Sequence, residues 1–261
     1  MEPSRSEGFS SAILNLFSYQ PLISWLLVAS VFGVILTLAL FVVINGRSRL
    51  EHGYSGIPIR RWSTRSIVAH WLGAIPCLFL IVTGLVLGAG KTFFDTQSNS
   101  WGTVVNLASD LHEFMAFPFM LGGLAMILMW WQQQRFVRYD LDWFKQFGGY
   151  INSGQPKHPD AGFSSGGEKL WFWVFSFCFL VLSVTGLMLF FPAIEPGYSL
   201  APLVIAAHIG SAMVLGAFAV VHIFMAAIMS EGAMGTMING HCDSNWAKQH
   251  HNRWFETIKK P

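Results

Sequence analysis

Charge is scarce in this chain. Asp, Glu, Lys and Arg make up only 11% of its 261 residues, whereas hydrophobic residues make up 53%. Five stretches, 22–44, 67–87, 114–131, 170–191 and 203–229, contain none of those four residues. Each is about as long as the 20 or so apolar residues that cross a hydrocarbon core as a helix. The absence of charge over such lengths excludes an ordinary water-soluble domain. It also excludes the membrane barrel, whose strands alternate over roughly ten residues, because in lipid these long runs satisfy their backbone amides only as helices. The expected fold is all-α and integral to the membrane, with five spans.

Paired cysteines are missing too. Cys77 and Cys178 fall inside predicted spans and Cys242 in the polar tail, with no spacing that suggests a disulfide framework or a zinc site. The first two read as small hydrophobic filler. The run 22–44 ends in Val42-Val43-Ile44-Asn45, which offers no small-residue cleavage site, so it reads as a retained anchor rather than a signal peptide. No internal repeat is evident, and the longest loop, 132–169, is too short for a separate domain.

Basic residues are few and lie almost all on one side. Arg47, Arg49, Arg60, Arg61 and Arg65 precede the second span; Arg135, Arg138, Lys145, Lys157 and Lys169 separate the third from the fourth; Lys248, Arg253, Lys259 and Lys260 follow the fifth. Only Arg5 and Lys91 fall on the opposite side. The positive-inside rule makes the rich side cytoplasmic, the amino terminus periplasmic and the carboxyl terminus cytoplasmic. The tail, 231–261, is polar with Trp246, Trp254 and Phe255 among charges, as expected of a segment lying against the membrane surface or a partner.

What the spans do contain is histidine. His70, His112, His208 and His222 sit in or at the ends of the apolar runs, where an ionisable side chain is expensive and normally partnered. On the topology above, His70 opens the second span and His222 nearly closes the fifth at the cytoplasmic face. His112 opens the third span and His208 the fifth at the outer face. His208 and His222 are 14 residues apart, close to four helical turns, so they share one helix face at a rise of about 21 Å. Two imidazoles on different helices at each face suggest two bis-histidine metal centres, and haem suits such a gap in a helix bundle. Gly73, Gly84, Gly186 and Gly216 are candidates to line it, although small residues also serve plain helix packing. A lone membrane histidine is more often a hydrogen-bonded bundle residue or part of a proton pathway, and His112, flanked by Asp110 and Glu113, also fits an interfacial role. His52, His158, His241, His250 and His251 fall in predicted loops or the tail, where solvated surface is the default.

Several local motifs point to a family. Arg61, His70-Trp71 with Thr83-Gly84 following, Leu111-His112, Gly167-Glu168-Lys169, His208, and His222-Ile223-Phe224-Met225-Ala226 stand in order along the chain. The tail adds Trp246-Ala247-Lys248-Gln249-His250-His251-Asn252-Arg253-Trp254, the most specific piece. From about 60 to 259 the chain resembles the cytochrome b556 (gamma) subunit of respiratory membrane-bound formate dehydrogenases, a family related to the cytochrome b subunits of nickel-iron hydrogenases and thiosulfate reductases.

The resemblance implies a four-helix bundle holding two haem b groups, with one extra transmembrane helix ahead of it. His70 and His222 would bind the cytoplasmic-side haem iron, and His112 and His208 the periplasmic-side one. It further implies electron delivery from a periplasmic iron-sulfur (beta) subunit, itself served by a molybdenum- or tungsten-containing catalytic (alpha) subunit, to menaquinone or ubiquinone. The quinone pocket would include His222, Met225, Ala226, Gly167, Ser165 and Glu168. Where the family usually has Asn-Ala-Gly, this chain reads Ser164-Ser165-Gly166-Gly167, so the polar contact to quinone would have to come from Ser165 or elsewhere. Residues 1–59 would form a periplasmic segment, the extra helix and a cytoplasmic linker; 60–230 the dihaem bundle; 231–261 a cytoplasmic tail. The expected setting is the bacterial inner membrane, with lipid and quinone as small partners and no nucleic acid. A competing class, a proton-relaying transporter, lacks support from intramembrane Asp, Glu or Lys and from any inverted repeat, and a third, a haem-free anchor, would be colourless where a dihaem cytochrome shows a reducible b-type absorption band.

Overall fold

The structure is a computed structural model that describes residues 21–94, 96, 99–151, 158–197 and 199–259. The amino-terminal segment 1–20 with Arg5, and also Lys157 and Lys260, lie outside the described residues. Five helices are long and apolar enough to cross a membrane, Pro21–Asn45, Thr64–Phe93, Ser100–Trp130, Gly166–Phe190 and Ala201–Met229, and are called here the first to fifth spans. Each apolar run therefore forms a helix, and most extend beyond the run. The third differs most, because its helix begins at Asn99, well before the run that starts at residue 114. Ser100, Asn106, Ser109 and Asp110 keep hydropathy low there without stopping the helix, so His112 stands well inside it rather than at its opening. Pro76 and Pro118 sit within the second and third spans, where neighbouring groups can re-satisfy the freed carbonyls.

The chain divides into two compact units, and each of the five long spans passes from one into the other. The first unit takes the described residues of Met1–Val34, Leu72–Gly123 and Ser176–Ala217. Close helix contact there depends on glycine. A Cβ on Gly122 would meet the backbone of Gly73, and one on Gly123 would collide with the Phe179 ring. The first span rests on this unit through a few contacts. Ser24 Oγ donates to Gly88 O at 3.3 Å, Trp25 meets Phe93 edge-on at 4.7 Å, and a Cβ on Gly216 would stand 3.4 Å from Val31 Cγ2. Only Ser24 and Leu27 of the first span are buried, which leaves the remaining apolar surface for lipid.

The second unit, Ile35–Trp71, Leu124–Phe175 and Phe218–Pro261, adds a small polar domain to its helix ends. Strand β1 (Pro58–Arg60) pairs antiparallel with β2 (His241–Asp243), setting Ile59 opposite Cys242. Asp243 caps the helix Ser244–His250 by accepting from Asn245 N at 2.8 Å, and it also accepts from Ser55 and Gly56. Leu50, Cys242, Trp246, Ala247 and Phe255 form a core of their own. Asn252 Oδ1 accepts from Ala161 N, Arg253 pairs with Asp160, and His251 Nδ1 donates to Gly162 O at 2.8 Å. The tail is thus folded onto two loops rather than lying as a free surface segment. His251 is buried and His250 sits among Trp246, Tyr150 and His158, which corrects the expectation that both are solvated. Their polar composition conceals this because most of the polar groups find partners inside the domain.

Two features of this unit carry measurable stability. Lys169 Nζ lies 2.8 Å from Asp140 Oδ2 with both side chains buried, while Asp140 also accepts from Val137 N and so starts the helix Arg138–Lys145. Removing one member of a buried pair typically costs about 3–5 kcal/mol, whereas replacing both by apolar residues is often neutral. Lys169→Met should therefore lower the thermal midpoint in detergent sharply, and Lys169→Met with Asp140→Leu should recover much of the loss. Equal losses in the single and double variants would show that the charges themselves are not coupled.

Acid should loosen the tail. Burial holds His251 down at about 3, with the Arg61 guanidinium adding to it, and burial together with His158 holds His250 at about 4. Both imidazoles are neutral when docked, and an undocked tail takes up their protons near the ordinary 6.5. Docking is therefore fully stable above about pH 6.5 and weakens as pH falls from there toward 4 and 3. Limited proteolysis of the tail should accelerate between pH 7.5 and pH 5. A flat cleavage rate would show that the tail is held without help from neutral histidines.

Candidate functional site

In the first unit, the third and fifth spans present His112 and His208 to each other with ring centroids 6.4 Å apart and planes inclined by 56°. Each imidazole is tied from behind by a threonine one helix away. Thr83 Oγ1 is 2.8 Å from His112 Nδ1, and Thr185 Oγ1 is 2.9 Å from His208 Nδ1. The residue after each threonine is glycine. A Cβ on Gly84 would stand 3.6 Å from His112 Cε1, and one on Gly186 would stand 3.6 Å from His208 Cε1. Two of the four glycines singled out from the sequence thus border the imidazoles, while Gly73 and Gly216 serve contacts between helices instead.

In the second unit, His70 and His222 face each other at 6.3 Å with planes inclined by 50°. Trp171 stacks on His222 at 5.0 Å and 18°, and Trp71 meets His70 edge-on at 5.1 Å while its own indole N–H donates to Met237 O. His70 Nδ1 is buried without a hydrogen-bond partner among the described residues. All four histidines predicted from sequence therefore occur as two opposed pairs, and each pair lies within one unit.

Both separations suit one metal ion shared by two imidazoles. Two nitrogen-metal bonds of about 2.0 Å and two ring radii of about 1.1 Å span about 6.2 Å. Among the described residues no group of three or more His, Cys, Asp or Glu is placed to hold a metal. An ion between two opposed imidazoles then needs its remaining ligands from outside the protein, which a planar macrocycle supplies and a simple aqueous ion site does not. The chemistry of the donor set, the ring spacing and the open side at Gly84 and Gly186 fit haem.

The residues expected around quinone have more varied placements. Met225 and Ala226 begin a widened turn, Met225–Met229, that starts three residues after His222 and is closed by a hydrogen bond from Ser230 N to Met225 O at 3.0 Å. Such turns free backbone positions and often accompany functional sites. Ser165 and Glu168 form a capping box at the start of the fourth span. Ser165 N donates to Glu168 Oε2 at 2.8 Å and Glu168 N to Ser165 Oγ at 3.3 Å. Both carboxylate oxygens of Glu168 also lie within hydrogen-bond distance of Arg61 Nη2, at 2.9 and 3.0 Å. Gly167 is needed by Trp143, whose ring occupies the space that a side chain there would take. These groups shape the start of the fourth span, one turn before Trp171.

Arg61 is the centre of this corner. Its guanidinium donates to Phe163 O at 2.7 Å and stands over the rings of Trp62, Phe163 and Trp246 at 5.2–5.7 Å. Sequence reasoning missed this role, along with those of Trp171, Thr83 as a partner of His112, and Thr185. One signal was available for the threonines: the dipeptide Thr-Gly occurs in the second span as Thr83-Gly84 and in the fourth as Thr185-Gly186. For Arg61 and Trp171 there was none, since the hydrogen-bond partners of Arg61 lie 102 and 107 residues away along the chain and the His222 ring on which Trp171 stacks is likewise remote from any local pattern.

The chain is similar to proteins of known name. Over 206 residues it is 28% identical to the formate dehydrogenase cytochrome b556(fdo) subunit of Escherichia coli (strain K12), covering 77% of this chain and 94% of that protein. Over 203 residues it is 26% identical to the formate dehydrogenase cytochrome b556 subunit of Haemophilus influenzae, covering 76% of this chain and 82% of the relative. The nitrate-inducible cytochrome b556(Fdn) subunit of Escherichia coli (strain K12) is 26% identical over 201 residues, 73% of this chain and 87% of its own length. The family model of prokaryotic cytochrome b561 matches residues 61–240, a stretch that includes all four paired histidines and both Thr-Gly dipeptides. A cytochrome b is a haem b protein, in agreement with the opposed imidazoles, and the chain belongs to the prokaryotic cytochrome b561 family.

Proposed function

We propose that this chain is the membrane cytochrome b subunit of a formate dehydrogenase of the respiratory type, taking electrons from an iron-sulfur partner on the periplasmic side and delivering them to quinone near the cytoplasmic face. The observation that carries the reading is the two pairs of opposed imidazoles, at 6.3 and 6.4 Å. The names of the relatives support the assignment to formate dehydrogenase, whose catalytic and iron-sulfur subunits would be the partners. The distribution of basic residues supports a periplasmic amino terminus and a cytoplasmic carboxyl terminus in the bacterial inner membrane.

His112 with His208, and His70 with His222, would each hold one haem b, which supplies reversible one-electron chemistry when bound. The protein would supply the imidazole donors, keep them buried among apolar helices and set their spacing along the fifth span. Quinone would bind beside His222, Met225 and Ala226, with Ser165, Gly167 and Glu168 shaping the helix start next to Trp171. Reduction there takes up protons from the cytoplasm, and electrons that entered from the other side would make turnover electrogenic. Each elementary charge carried across stores about 2.3 kcal/mol per 100 mV.

Quantitative haem extraction against protein concentration should return two b haems per chain. His112→Ala and His208→Ala should remove the same spectral component, and His70→Ala and His222→Ala the other. A single haem, or loss of one component in all four variants, would sink the two-centre reading.

Access to quinone is tested by bulk in the widened turn. Ala226 is half-buried four residues after His222, so the two stand on one side of the helix. Ala226→Phe should leave both haems bound and reducible by formate through the partner subunits while quinone reductase activity falls at least tenfold. Normal quinone turnover in that variant would place the pocket elsewhere.

A further inference from the structure

Thr83 and Thr185 stand behind the two imidazoles of the first unit in matching fashion, and their hydroxyl protons can be located by elimination. Thr83 Oγ1 lies 2.7 Å from Phe79 O and Thr185 Oγ1 lies 2.6 Å from Val181 O, each the carbonyl four residues earlier on its own helix. A carbonyl cannot donate, so contacts this short place the single hydroxyl proton on that side. Towards His112 Nδ1 at 2.8 Å and His208 Nδ1 at 2.9 Å each hydroxyl then has only lone pairs to offer. Both imidazoles must carry their proton on Nδ1, which leaves Nε2 unprotonated on each. The pair in the second unit is built differently, since His70 Nδ1 is buried with no hydrogen-bond partner among the described residues.

We propose that Thr83 and Thr185 are positioning residues that lock His112 and His208 in the tautomer and orientation needed to bind iron through Nε2, and that lower the midpoint potential of the haem these histidines hold. The inference rests on the two-haem reading given above. A hydrogen bond that draws on Nδ1–H makes the imidazole a stronger donor at Nε2. Stronger donation favours the ferric over the ferrous ion. The outer hydroxyls thus act on one centre and leave the other untouched, a difference that no residue directly bound to iron would reveal.

The test uses the purified complex, with haem content by extraction and a potentiometric titration followed in the b-type absorption band. The component missing from His112→Ala identifies the haem in question. Thr83→Val and Thr185→Val, which keep the shape and remove the hydroxyl, should each raise its potential, shifting the ferric-to-ferrous ratio at fixed solution potential by about threefold. The other haem should not move, and Thr83→Ser and Thr185→Ser should restore the native value. If a valine variant drops the haem while the serine variant retains it at native potential, the hydroxyl is required and the proposal stands. Valine variants that keep both haems at unchanged potentials would overturn it, as would serine variants that lose the haem. A wild-type complex with fewer than two haems would instead overturn the proposed function before any variant is compared.

Discussion

Two imidazoles can share a metal only if the helices that carry them stand a fixed distance apart, and much of this bundle follows from that constraint. A gap wide enough for a macrocycle removes side-chain contacts that would otherwise hold the helices together. Lipid gives no hydrophobic drive to replace them, because its chains are as apolar as leucine. The compensation in the first unit is close contact elsewhere. Gly122 brings its backbone against Gly73, and Gly123 accepts the face of Phe179. Glycine therefore has two opposite uses here: at 73, 122 and 123 it lets helices touch, and at 84 and 186 it leaves room beside an imidazole.

The second unit meets the same demand with aromatic and charged side chains. Trp171 supports His222 by stacking, and the end of the fourth span from which it projects is secured by the Ser165–Glu168 capping box and by Arg61. Arg61 binds Glu168 and Phe163 O and is enclosed by three aromatic rings, one of them supplied by Trp246 of the tail. Arginine suits this position because its planar, weakly hydrated head can hydrogen-bond in its plane and stack on its faces at once. The folded tail, through Trp246 and His251, thus helps hold the corner from which Trp171 reaches His222.

Five spans and four histidines were legible in the sequence because each signal is local. An uncharged run of the right length specifies a helix by itself, and a histidine within it stands out against apolar neighbours. Depth pairing followed from simple counting along the helices. What could not be read depends on contacts distant in sequence. The helix before His112 was hidden by polar residues that do not break it, and the fold of the tail by side chains whose polarity is satisfied internally. The resemblance implies a place for Gly167 in the quinone pocket, and the space its missing side chain leaves is filled by the Trp143 ring. Composition reports how polar a residue is, but it does not report which partner meets that polarity.

The two imidazole pairs also show why equal spacing need not mean equal chemistry. Their ring separations differ by only 0.1 Å, so both satisfy the same geometric requirement. Their supports differ in kind: hydroxyl oxygens accept from Nδ1 in one pair, while an indole face and an unpartnered buried nitrogen mark the other. On the two-haem reading proposed above, the protein would not distinguish its two haems through their ligands, because histidine would serve at all four positions. It could do so only through what surrounds those ligands. On that proposal, hydrogen bonding, stacking and burial would be the means left to give the two centres different affinities for an electron, and with them a preferred direction of transfer.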